Sequence, residues 1–106
     1  MSWKRTATPV HEFELPVIYE EFVDKLILTY SQNDKPVIEL TEKDIGDSIT
    51  VYGNILTVSM TQEQSAKFNP GEVIAEIKLW TNDRKSLISE DVLMYVKQVR
   101  NERMFE

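Results

Sequence analysis

The chain has no cysteine and one histidine. These two shortages exclude a disulfide framework, a thiolate metal cage and a histidine-rich metal centre. Its three glycines, Gly46, Gly53 and Gly71, are too dispersed for a phosphate-cradling loop or a dinucleotide fingerprint, and no G-x-S-x-G element is present. No apolar run approaches the length of a membrane span, and the stretch from Met1 to Thr6 lacks the apolar core of a secretory signal, which leaves cytosolic synthesis as the expectation. Basic residues are outnumbered 12 to 18, for a net charge of −6. The few basic groups, Lys4-Arg5, Arg84-Lys85 and Arg100 with Arg103, read as solvated surface charge rather than a phosphate-binding patch, so no nucleic acid and no membrane partner is expected.

What remains is 106 residues, 42% hydrophobic and 28% charged, enough for one globular domain over residues 1–106. Its dominant periodicity is two. His11, Phe13 and Leu15 share one face of a segment whose other face carries Glu12 and Glu14. Residues 24–30 and 35–40 form the next pair of strands, joined through Asn33-Asp34, with Pro36 tolerated only at a strand start or a sheet edge. Ahead of them, Ile18, Phe22 and Leu26 stand four apart, so residues 17–27 are either an amphipathic helix or a short turn feeding a strand from about Asp24; the second is favoured.

Gly53-Asn54 lies between two β-rich runs, 49–52 and 55–60, and marks a hairpin. Thr61 and Gln64 have capping-box spacing, which predicts one helical turn to about Lys67, closed by Asn69-Pro70-Gly71. Residues 72–81 alternate, with Val73, Ala75, Ile77 and Leu79 facing inward and Ile74, Glu76, Lys78 and Trp80 outward. After the polar loop 81–85, residues 87–99 return as one strand, with Ile88, Val92, Met94 and Val96 in one phase and Leu87, Leu93, Tyr95 and Val99 in the other. About seven strands with one short helical turn and short connections predict an all-β antiparallel sandwich. Residues 1–8 and 100–106 are expected to be flexible.

Each candidate for chemistry has a simpler alternative. His11 is the one side chain that titrates near neutrality, yet its apolar strand face reads as packed core rather than general base. Glu12 and Glu14 have the spacing of a paired carboxylate site but the character of a solvated strand face, and the pairs Glu20-Glu21, Glu42 with Asp44, and Glu90-Asp91 lack calcium-loop spacing. No catalytic residue, metal ligand or cofactor site is assigned, and no enzyme activity is expected. Phe13 and Phe68 are assigned to the core, whereas Trp3 is less easily placed there. Trp80, Ile74, Leu93 and Tyr95 form a candidate interface on an outer sheet face, with ordinary scattered surface hydrophobics as the alternative.

The order of these elements carries a resemblance. Thr8 to Pro16, Leu28 to Gln32, Ile55 to Gln64, and Ile77 to Asn82 followed by Ser89-Glu90-Asp91-Val92 resemble small prophage-encoded proteins of Gram-positive bacteria. Those proteins are immunoglobulin-like sandwiches similar to the N-terminal domain of the phage baseplate upper protein. The resemblance implies an immunoglobulin-like fold and a virion or virion-assembly role, with phage tail or baseplate proteins or a second copy of the chain as partners. It also implies a location in the virion or the host cytoplasm. The matching positions build strands and turns and assign no binding residue. A carbohydrate-binding module, with Trp80 or Trp3 beside Glu76 as its platform, is the rival expectation, and a cell-wall hydrolase using Glu12 and Glu14 is a third.

Overall fold

In a computed structural model, which describes residues 2–105, the chain folds into two facing β-sheets. Among the described residues nine strands are present: β1 (Ser2–Lys4), β2 (Val10–Glu14), β3 (Val23–Gln32), β4 (Lys35–Thr41), β5 (Ile49–Tyr52), β6 (Ile55–Ser59), β7 (Gly71–Thr81), β8 (Ser86–Ile88) and β9 (Val92–Lys97). Six lie in one sheet, ordered β1-β9-β7-β3-β4 with β8 against β7; the other sheet is β2-β6-β5. The pairing is antiparallel except between β1 and β9.

The chain changes sheets four times, first through the non-helical residues 5–9 between β1 and β2 and then three times through a short helical element. Helix α1 (Tyr19–Phe22) leads from β2 to β3, a 3-10 turn at Glu42–Asp44 from β4 to β5, and helix α2 (Gln62–Ala66) from β6 to β7. The four-apart apolar residues near Phe22 therefore make one helical turn, and a strand begins at Val23. Strand spacing rather than helical spacing prevails there because Leu26, Leu28 and Tyr30 alternate into the core and are fully buried.

Two hairpin turns have the backbone their residues suggest. Asn33 and Asp34 both take positive φ, 51° and 61°, as a two-residue type I′ turn requires. Gly53 takes φ of 62° between β5 and β6. Pro36 sits in β4, an edge strand, beside the register shift at Tyr30/Ser31, where its missing N–H leaves no gap between paired strands.

The core is filled from both sheets. Leu26, Leu28, Tyr30, Ile77, Leu79, Met94 and Val96 face His11, Phe13, Ile49, Leu56 and Val58, and Phe68 enters from the connection after α2. In β7 the predicted inward set Val73, Ala75, Ile77 and Leu79 is buried, while Glu76, Lys78 and Trp80 are exposed.

Two expectations about strands need correction. The segment 87–99 is not one strand. It breaks at Ser89, whose N–H and hydroxyl engage the carbonyl and N–H of Ile77 at 2.8 and 2.9 Å. Thus β8 pairs with Lys78–Trp80 and β9 with Gly71–Ala75, and the phase inverts across the break. Leu87 therefore packs against the core and Ile88 is exposed, the reverse of a continuous strand.

The N-terminal segment is likewise not a loose end. Ser2–Lys4 pairs with Tyr95–Lys97 and inserts Trp3 into the core. Arg5, expected as surface charge, donates from Nε to the Phe68 carbonyl and from a terminal guanidinium nitrogen to the Ala66 carbonyl, both at 2.7 Å, and pairs with Glu102. Residues 100–105 carry no regular secondary structure, but the Gln62 side chain exchanges two 3.0 Å hydrogen bonds with the backbone of Phe105.

Candidate functional site

The acid–base candidates are resolved by where the strands put them. His11 is 2% exposed on the inner face of β2. Its Nδ1 lies 2.9 Å from the Tyr30 hydroxyl on the opposing sheet. Trp3 and Phe13 enclose the ring, with centroids 5.0 and 6.4 Å away, and Phe68 packs edge-on against both Trp3 and Tyr30. Burial holds the imidazole pKa below its ordinary value and pushes the Tyr30 phenol well above its own. Both groups are neutral near pH 7, and solvent has almost no access to the imidazole. The arrangement is a buried polar tie between sheets.

Glu12 and Glu14 extend from the outer face of β2 and are exposed, opposite Thr57 and Ile55 of β6. Among the described residues, no three carboxylate, imidazole or thiol groups gather into an arrangement that could hold a metal ion. Nor, among those residues, is any helix long and apolar enough to cross a membrane.

The interface candidates occupy the outer face of the six-stranded sheet, where register decides which of them meet. Ile74 stands opposite Leu93, with Tyr95 two residues further along β9 and opposite Glu72. Leu93 is 58% and Tyr95 51% exposed. Trp80 points to the same side and is 40% exposed, but it lies six residues along β7 from Ile74, about 20 Å at ordinary strand rise. The four residues expected as one patch are therefore two groups, separated by the charged side chains of Glu76 and Lys78. Alternation assigns a residue to a face; its place along that face is set by cross-strand pairing.

The pairing also adds residues that the linear pattern missed. Ile27 and Ile88 are the partners of Lys78 on either side, both exposed and on the Trp80 side of the face. Lys25 is the direct partner of Trp80. At the other end, Thr29, Ser31, Asp34, Glu72, Ile74, Glu76 and Asp91 line a shallow depression. The Trp80 end thus carries Lys25 and Lys78 and the Ile74 end Glu72 and Glu76, while Lys97 follows Tyr95 on the same face. The outward side of Ile27 is legible in its strand, where it alternates with the buried Leu26 and Leu28; that of Ile88 is hidden by the phase break.

Trp3 does not serve as a sugar platform, because it is 6% exposed in the core. The pairing of Trp80 with Glu76 is also interrupted, since Lys78 lies between them on the same strand face.

Among solved structures the chain is similar to CopC from Methylosinus trichosporium OB3b, at 11% identity and a TM-score of 0.56, with 92% of this chain and 85% of that one covered. It also aligns with the V domain of amphioxus IgVJ-C2 at 13% identity, a TM-score of 0.37 and coverage of 91% and 98%. For murine CRIg the values are 9%, 0.45, 94% and 92%. No family model and no curated protein matches the sequence. At these identities the likeness concerns the fold. With the two stacked sheets, the CopC likeness makes the protein an all-β sandwich of two sheets.

Proposed function

We propose that this chain is a non-enzymatic structural or accessory protein that works by docking, through the outer face of its six-stranded sheet, onto a second copy of itself or onto other proteins. The observation that carries the reading is that face: Trp80, Ile88, Leu93 and Tyr95 are each 40 to 59% exposed on a single paired surface. Apolar and aromatic groups grouped on one face of a domain this small are the usual mark of a contact with another chain. The acid–base candidates support the same reading, because His11 is enclosed and Glu12 and Glu14 are exposed on the outer face of β2.

A phage tail or baseplate as the setting rests on the sequence resemblance alone. It is tested by inducing a lysogen that carries the gene, purifying the particles on a gradient and looking for the protein in tail fractions. Tail association that is lost in Leu93→Asp, with folding retained, supports the reading. Absence from every particle and assembly intermediate would remove the phage role. Binding to cell-wall glycans abolished by Trp80→Ala would instead favour a carbohydrate-binding module.

A further inference from the structure

Resting on that docking reading, we propose that the outer face of the six-stranded sheet is self-complementary and pairs two copies of this chain, with their β7 strands crossing antiparallel.

The argument begins with spacing on β7. Ile74 and Trp80 lie equally far from Ile77, on either side of it, and so do Glu76 and Lys78. A two-fold axis lying in the interface, perpendicular to β7 and passing over Ile77, superposes these positions on one another. It sets Ile74 of one copy against Trp80 of the other and Glu76 against Lys78, each contact occurring twice. Such a contact is isologous and closes at two copies.

Neighbouring strands follow the same rule. On β3, the axis brings Ile27 over Thr29 and Lys25 over Ser31, since these pair with Lys78, Glu76, Trp80 and Ile74 respectively. No like charges meet among these residues. The depression carrying Asp34, Glu72, Glu76 and Asp91 faces the end of the partner that carries Lys25 and Lys78.

Charge selects this orientation over the other way of stacking the two faces. With β7 strands parallel, Glu76 would approach Glu76 and Lys78 would approach Lys78. The chain as a whole carries −6, so two copies repel at long range. A short-range contact that opposes unlike charges and covers Trp80, Ile27 and Ile74 offsets that repulsion where the surfaces meet. Two sheets packed face to face with their strand axes roughly 30° from aligned, as their twist dictates, still keep the β7 strands in contact across the centre.

The test is sedimentation velocity on the full chain across the micromolar range, with circular dichroism to confirm folding. The wild type should show a reversible monomer–dimer equilibrium. Glu76→Lys and Lys78→Glu, each placing like charges opposite one another, should weaken it about tenfold or more, and the double exchange should restore it. Both side chains are exposed, so neither change removes core packing. A strictly monomeric wild type, or a dimer indifferent to both single changes, overturns the proposal. Tail binding that persists in a monomeric protein and is lost in Leu93→Asp would sink the self-pairing while leaving the docking reading in place. Loss of both would sink both.

Discussion

The Nδ1 atom of His11 and the hydroxyl of Tyr30 are 2.9 Å apart and belong to different sheets, so one hydrogen bond ties the two layers across their apolar filling. Burial favours the uncharged imidazole and lowers its pKa from the ordinary 6.5. Between the lowered native value and 6.5, the unfolded chain binds the proton that the folded chain refuses. This group's contribution to stability is therefore fully present above pH 6.5 and is lost as the pH falls through the native value. Urea titrations should show stability falling by up to about 1.4 kcal/mol per pH unit as the pH drops from 6.5 toward the native value. The slope should flatten in His11→Asn, and Tyr30→Phe, which strands a buried ring nitrogen, should cost roughly 1–3 kcal/mol. A midpoint constant between about pH 7.5 and 5.5 would contradict this account.

Trp3 is the second point at which burial makes a sharp demand. The side chain lies against His11 and Phe68, and its strand is held by pairing with β9 and by the Arg5 hydrogen bonds to Ala66 and Phe68. Trp3→Ala should cost about 3–5 kcal/mol, a large share of the stability of a domain of this size. The tryptophans are separable by fluorescence. With Trp80→Phe, the remaining emission should be blue-shifted and resist iodide; with Trp3→Phe, the exposed Trp80 should be quenched readily. Equal quenching of the two would show that the N-terminal strand does not dock.

The parts of the fold legible in the sequence are those with local causes. Alternation in β2 and β7, positive φ at Gly53 and the Thr61/Gln64 spacing all arise among residues within a few positions of one another. Strand β1 has no such cause. Its three residues pair in parallel with Tyr95–Lys97, and only that distant partner converts Trp3 from an unplaced aromatic into core. The break at Ser89 is similar, because its evidence is a pair of hydrogen bonds to Ile77 on another strand. For the outer face, alternation correctly sent Ile74 and Trp80 to the same side. Their separation, and the arrival of Ile27 and Ile88 beside Lys78, depended on register.

The turn between β3 and β4 invites a stabilising change. Asp34 holds φ of 61° as the second central residue, a conformation in which an L side chain crowds its own backbone. Glycine is the preferred residue there. Asp34→Gly should raise stability by about 0.5 kcal/mol, and Asp34→Val, branched at Cβ, should lower it by about 1–2 kcal/mol. If both substitutions shifted the thermal midpoint in the same direction, the turn geometry described here would be wrong.

Helix α2 is five residues long, too short to persist on its own, so its caps and its tertiary contacts must hold it. The Thr61 hydroxyl accepts from the Gln64 N–H at 3.1 Å, and the Gln64 side-chain oxygen accepts from the Thr61 N–H at 2.9 Å. At the far end, Arg5 donates to the Ala66 carbonyl, which the helix itself leaves free, and Phe68 follows directly into the core. The cap thus helps to place a core aromatic and the partner of the N-terminal segment. Thr61→Ala should cost about 1 kcal/mol, and Gln64→Ala somewhat less. The two side chains act on one helix end, so the double variant should cost less than the sum of the singles. Strict additivity in a double-mutant cycle would mean that the reciprocal bonds do not form in solution.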